Sequence, residues 1–182
     1  SLVDAPELLV RGVTLRIAIT GARGQLGRSL QRVLQQTSAR HRVVSAWSHS
    51  ELDVGAPGAV EHALDVPGER PDVVVNGAAF TWVDRAETEP DEARRVNADG
   101  PGLLAKACRA RGIRLVHVST DYVFAGSGDR PLREDDLPAP CSVYGATKLE
   151  GEQRVLAADE RALVVRTCWL FGPGRNFVRT LL

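Results

Sequence analysis

Leu15-Arg-Ile-Ala-Ile-Thr-Gly-Ala-Arg-Gly-Gln-Leu-Gly27 is the stretch that decides how this chain folds. Leu15 to Thr20 is a β-branched apolar run, which predicts a buried strand. Gly21 to Gly27 has the form GxxGxxG, and Leu26, Leu30, Val33 and Leu34 then recur at helical spacing. A strand that turns through glycines into a helix lets a pyrophosphate approach the backbone. The helix start adds free N–H groups and positive potential. The same glycines also suit a tight turn that holds no ligand, and only their place between strand and helix favours a nucleotide.

Outward from this turn, strand and helix patterns alternate. Arg42–Trp47 reads as a second strand, and Pro57 with Val60, Ala63 and Leu64 as a second helix. Pro71-Asp72 introduces a strand at Val73–Val75, and one long helix is expected from about Asp91 to Arg109, stopped by Gly112. A strand at Ile113–Val118, an exposed proline-rich loop at Gly126–Pro140, a helix over Val143–Ala157 and a strand at Ala162–Thr167 follow. Gly172-Pro173-Gly174 then opens another helix. Near-continuous apolar strands between helices predict an α/β fold: a doubly wound parallel sheet of the Rossmann type, with ligands at the carboxyl ends of its strands. Residues 1–14 show no period and read as an N-terminal extension.

Composition narrows the function classes. The chain has 182 residues, 43% of them hydrophobic and 25% charged, an ordinary globular balance. Its 23 basic and 23 acidic residues cancel, which argues against a nucleic-acid partner. No apolar run is long enough to predict a membrane span. Cys108, Cys141 and Cys168 are far apart and odd in number, which suits a reducing cytoplasm better than a disulfide framework. No cluster has metal-ligand spacing, so no metal site is expected. The absence of methionine implies that Ser1 is not a natural start. Basic residues are almost all arginine, as in GC-rich bacteria, and Lys106 and Lys148 are the two lysines.

Lys148 ends a YxxxK pattern, Tyr144-Gly-Ala-Thr-Lys148. On a helix these positions share a face, so the ammonium can act on the phenol, whose ordinary pKa near 10 is too high for proton exchange at neutral pH. A surface Tyr and Lys are the plainer reading, but the chain has only two of each. Ser119-Thr120-Asp121-Tyr122 sits at a strand's carboxyl end, either as a turn cap or as part of a site. Trp47-Ser48-His49 stands where a carboxylate would grip a ribose 2′-hydroxyl. Arg23 and His49 could face a 2′-phosphate there, which leans towards NADP(H) over NAD(H), or Arg23 could simply be solvated. His117 reads as a core histidine.

These pieces in this order resemble the extended short-chain dehydrogenase/reductase superfamily. The finer pattern is similar to the dTDP-4-dehydrorhamnose reductase family. It is carried by ITGARGQLG at 19–27, ELDV at 51–54, PDVVVNGAAFTWVDRAE at 71–87, VNADGPGLLAKAC at 96–108, HVSTDYVFAG at 117–126, VYGATKLEGE at 143–152 and VRTCWLFGPGRNF at 165–177. The resemblance implies that Gly24, Gln25 and Leu26 cover the cofactor pyrophosphate, with Gly21, Arg23 and Gly27 the other cofactor-binding residues of the turn. It places Asp53 and Val54 beside the adenine and Ala79, Phe80 and Thr81 along the cleft; Ser48 and His49 count with the cofactor-binding residues, Ser48 standing where the family has an acidic or basic ribose-reading residue. It makes Tyr144 the proton donor to a C4 ketone, Lys148 the holder of the nicotinamide ribose and the group that lowers the tyrosine pKa, and Thr120 the residue that polarises the carbonyl. Asp121 and Trp169 would touch the sugar. Trp82 departs from the family's usual small residue.

The resemblance further implies a Rossmann domain over residues 15–168 and the start of a substrate-binding lobe at 169–182, most of that lobe being absent from the chain. The implied partner is a nucleotide-linked 4-keto sugar, with no membrane and room for a homodimer. Two other readings stand beside the reductase. One is another sugar-nucleotide reductase, epimerase or dehydratase of the superfamily. The other is a non-catalytic subunit resembling the regulatory subunit of methionine adenosyltransferase.

Overall fold

The computed structural model describes residues 14–37, 41–65, 68–126 and 130–172. Nearly all of the expected extension, and the helix expected after Gly174, fall outside these residues. Five strands, β1 (Leu15–Thr20), β2 (His41–Trp47), β3 (Val73–Asn76), β4 (Arg114–Thr120) and β5 (Leu163–Thr167), form one parallel sheet in the order β2-β1-β3-β4-β5. The chain runs outward from β1 to β2, then returns across β1 to β3. The loops leaving β1 and β3 therefore part in opposite directions and leave a crevice at their carboxyl ends.

The central strands are apolar because both faces are covered. Ile19 and Val74 are fully buried, and Ala18, Val74, Leu104, Ile113, Leu115 and Val155 belong to one core beneath the helices α2 (Ala59–Asp65), α5 (Gly100–Ala110) and α6 (Val143–Ala158). Among the described residues β2 and β5 are the edge strands. Val165 and Leu163 on β5 keep 38% and 57% of their surface exposed, in keeping with that position.

α1 (Gln25–Gln36) begins one residue after Gly24, which caps it without a side-chain hydrogen bond; its first turn holds no acidic residue. Its leading N–H groups are thus turned towards the crevice. α2 begins at Ala59 rather than at Pro57, because Gly58 takes a positive φ of 77° that ends the preceding turn. A short helix not expected from the sequence, α3 (Val83–Thr88), follows the β3 loop.

The long helix expected over Asp91–Arg109 is broken. α4 (Pro90–Arg94) passes into a π-helical turn at Arg95–Asp99 before α5 resumes. Pro101 explains the position: it has no N–H to give the carbonyl four residues back, that of Asn97, and its ring crowds that carbonyl. The widened turn lets the Asn97 side chain bridge elements. Its Oδ1 accepts from Phe80 N at 2.9 Å, and its Nδ2 donates to Phe80 O at 3.1 Å and to Thr147 Oγ1 at 3.3 Å. The freed Asn97 carbonyl faces Gly151 of α6 so closely that a Cβ there would lie 2.1 Å from the oxygen. No helix among the described residues is long and apolar enough to cross a membrane.

Candidate active site

A cavity of about 860 Å³ runs along the carboxyl ends of the strands, large enough for a dinucleotide-sized ligand. At one end lie His49, after β2, and the whole glycine turn, Gly21, Arg23, Gly24, Gln25, Leu26 and Gly27. Glycine is required at two of these places. A Cβ on Gly21, itself at φ 68°, would sit 2.6 Å from the Gly77 carbonyl, and one on Gly27 would sit 2.4 Å from the Gly21 carbonyl. The turn is thus pressed against the β3 loop, with the open start of α1 behind it. That geometry fits a pyrophosphate.

The middle of the cavity is walled by Ala79, Phe80 and Thr81, with Leu52 and Val54 beside them. At the far end Ser119 and Thr120, the last residues of β4, and Asp121 and Tyr122, which follow it, face Tyr144 and Lys148 on α6; Trp169, after β5, closes the rim. Two devices hold α6 in place. Ser142 caps it by accepting from Gly145 N at 3.1 Å, and the Val143 N–H donates to Glu87 Oε1 of α3 at 2.8 Å. Gly145 and Gly151 strip side chains from the faces that meet Tyr122 and Asn97, where a Cβ would lie 2.2 and 2.1 Å from their carbonyl oxygens. Close approach there is what brings Tyr144 and Lys148 down onto β4.

Thr120 caps the short 3₁₀ turn Asp121–Val123, accepting from Tyr122 N at 3.2 Å, and donates to Asp121 Oδ1 at 3.1 Å. Its hydroxyl, when turned from Asp121, also acts on the Tyr144 phenol. The Tyr144 ring meets the Tyr122 ring edge-on, centroids 5.5 Å apart. Burial raises the Tyr144 phenol above its ordinary value, against the opposing hydrogen bond from Thr120. This corrects the expectation that Lys148 lowers it. The lysine is turned to the strand instead: its Nζ donates to the Val118 carbonyl at 2.7 Å, and with 1% of its surface exposed its own amine is pushed down to about 8, Glu152 opposing. Glu152 is gripped by Arg166 through bonds of 3.0 and 2.7 Å. A half-buried phenol that keeps its proton is the form a proton donor needs.

Two expected residues do not reach the cavity. Ser48 is 4% exposed, with its hydroxyl bound to Glu51 Oε2 at 2.5 Å, while the Ser48 N–H donates to the same carboxylate at 2.8 Å. This local turn captures it. Asp53 is held by Arg95 Nη1, at 2.8 Å to each carboxylate oxygen, and its carboxyl is lowered chiefly by that bond. The partner lies in the π turn, invisible to local sequence. Asn97 was missed for the same reason, although Gly100-Pro101 inside a helical pattern marked an irregularity there. Among residues that line the cavity, Trp82 is 57% exposed and Trp169 is 57% exposed with φ 46°.

The parallel sheet, the glycine turn and the Tyr-Lys pair at opposite ends of one crevice define a dinucleotide-binding α/β domain of Rossmann type. Comparison with known proteins is more specific. The family model described as the RmlD substrate binding domain matches residues 15–182, and the chain belongs to that family. It is 48% identical over 169 residues to a dTDP-4-dehydrorhamnose reductase of Mycolicibacterium smegmatis, covering 91% of this chain and 50% of the relative. It is 49% identical to a probable dTDP-4,6-dihydroxy-2-methyloxan-3-one 4-ketoreductase of Streptomyces antibioticus, covering 92% and 56%. A dTDP-4-dehydrorhamnose reductase of Bacillus anthracis, solved in complex with NADP, superposes with a TM-score of 0.83 at 40% identity, covering 93% of this chain and 59% of that one. The chain spans about half the length of the curated relatives it matches.

Proposed function

We propose that this chain is the cofactor-binding half of an NADPH-preferring reductase, with NADH as a second cofactor, that converts the C4 ketone of dTDP-4-dehydro-L-rhamnose to the alcohol. One observation carries the reading: Tyr144, Lys148 and Thr120 converge at one end of a cavity whose other end is the glycine turn. The names of the Mycolicibacterium and Streptomyces relatives support a dTDP-linked 4-keto sugar, and the NADP complex of the Bacillus relative supports the cofactor.

The glycine turn and the start of α1 hold the cofactor diphosphate, and Arg23 and His49 meet the 2′-phosphate. Lys148, anchored on Val118, orients the nicotinamide ribose. A reduced nicotinamide bound there supplies the hydride. Thr120 donates to the ketone oxygen and aligns it with the phenol, and Tyr144 delivers its proton to that oxygen as charge develops. Asp121 and Trp169 hold the sugar ring. Positioned proton transfer of this kind contributes about 10²–10⁴-fold.

The test is Tyr144→Phe in the complete gene product, followed by NADPH oxidation with dTDP-4-dehydro-L-rhamnose. Turnover should fall by about 10²–10⁴-fold, with NADPH affinity in calorimetry nearly unchanged. Turnover at the wild-type level removes Tyr144 from this role. Absence of any turnover in the wild type with that sugar overturns the substrate.

A further inference from the structure

Thr20, Asn76 and His117 stand side by side across β1, β3 and β4, in register and each at most 1% exposed. Thr20 Oγ1 donates to Asn76 Oδ1 at 2.6 Å, and the Ala78 N–H donates to the same oxygen at 3.2 Å. Two donors on Oδ1 fix the amide, so its Nδ2 is the donor in the 3.0 Å bond to His117 Nδ1. An Nδ1 that accepts leaves the imidazole proton on Nε2. That N–H has no partner among the described residues, and neither does the hydroxyl of Ser119, which is 5% exposed.

The two orphans are not scattered. His117 and Ser119 are alternate residues of one strand, so their side chains leave the same face about 7 Å apart. α6 packs on that strand. The peptide between them is that of Val118, whose carbonyl takes one N–H of the Lys148 ammonium. Buried polar groups without partners are costly unless water serves them, and a buried water commonly makes about three hydrogen bonds.

We propose that His117 Nε2, Ser119 Oγ and Lys148 Nζ share one internal water, and that His117 is a positioning residue for the lysine through it. The water accepts from the imidazole N–H and from a second ammonium N–H, and donates to the serine hydroxyl. With one N–H on Val118 and one on the water, the third is aimed at the cavity. The row Thr20–Asn76–His117 sets the tautomer that makes this possible. The charged and titratable groups around the lysine and its phenol are Glu152, tied to Arg166, together with Tyr144, Asp121 and Tyr122.

The idea deepens the Lys148 role proposed above, and its test is read without turnover. The chain has two lysines, so [ε-¹³C]lysine NMR of the protein, assigned with Lys106→Arg, follows Lys148 alone. The wild-type midpoint is expected near 8. His117→Phe keeps the ring's bulk and removes the donor. It should weaken proton affinity about tenfold, moving the midpoint about one unit lower. His117→Gln retains a side-chain N–H and should restore most of the shift. Ser119→Ala should move the midpoint the same way by less, and it covers the case in which His117→Phe does not fold. A crystal structure that resolves ordered water should show one within hydrogen-bond distance of all three atoms. An unmoved midpoint in both His117→Phe and Ser119→Ala, or a dry site in the crystal, overturns the proposal. A loss of reductase activity in the wild type leaves these readouts intact and overturns only the proposed reaction.

Discussion

Gly151→Ala sets two effects against each other. In the interior of α6, alanine should stabilise the helix by about 1 kcal/mol relative to glycine. The structure reverses the sign. The new methyl would sit 2.1 Å from the Asn97 carbonyl oxygen, while ordinary contact begins at 3.4 Å, so α6 and the π turn must part by the difference, about 1.3 Å. The obstacle is backbone on both sides, held by the Asn97–Phe80 and Asn97–Thr147 bonds, so no rotamer relieves it. Overpacking of this kind costs about 1–3 kcal/mol. At the upper end the net loss is about 2 kcal/mol, or roughly 4–8 °C in the thermal midpoint of a domain this size. Lys148 lies one turn earlier, so turnover should fall beyond what unfolding explains. Calorimetry and the NADPH assay on the same samples measure both. Gly68→Ala, with nothing within 4 Å among the described residues, is the control and should stay near wild type. A Gly151→Ala protein more stable than wild type, showing the helix gain with no packing cost, would refute close packing of α6 on the π turn.

Three other outcomes follow from the same geometry. Lys148→Met should abolish turnover yet stabilise the fold by roughly 1–3 kcal/mol at pH 7 in urea titrations. The amine's folded value near 8 lies below its ordinary 10.5, so the charged form opposes folding and wild-type stability rises between those two pH values; a less stable variant contradicts this. Asp53 is lowered by Arg95, so its stabilising contribution is whole above 3.8 and is lost as pH falls through the folded value; Asp53→Asn should flatten that acid limb in a pH series of denaturation curves. Arg23→Glu should raise the KM for NADPH by about tenfold or more and leave NADH nearly unaffected. Equal loss with both cofactors would place Arg23 away from the 2′-phosphate.

The strands were legible because each is a short apolar run whose side chains need cover on both faces, and β1 through β5 fall within a few residues of the expected bounds. The glycine turn was legible because its chemistry is local. What escaped is tertiary. A helical pattern interrupted by Gly100-Pro101 alone runs through Asp91–Arg109, and the π turn forms where Pro101 frees a carbonyl that Gly151 of α6, far along the chain, is small enough to approach. The bond that ties Ser48 down comes from three residues away and the one that holds Asp53 from 42 residues away. The raised phenol of Tyr144 reflects its depth, which no spacing rule measures.

The strand order bears on how the chain acquires its site during synthesis. β1 meets β2 early, but its other neighbour, β3, brings partners that are 56 residues apart, such as Thr20 and Asn76. β4 and β5 must then add on the far side in turn. Parallel pairings over such separations are slow to close because loop entropy is lost before contacts form. With chain growth at about 5–20 residues per second, the order of emergence from the ribosome becomes the order of sheet assembly. The glycine turn emerges early, yet the shelf it presses on comes with β3, Tyr144 and Lys148 come with α6, and Trp169 comes later still, after β5. A dinucleotide therefore finds no complete cradle on the nascent chain and acts only on the finished sheet, where binding pulls the folding equilibrium forward by mass action.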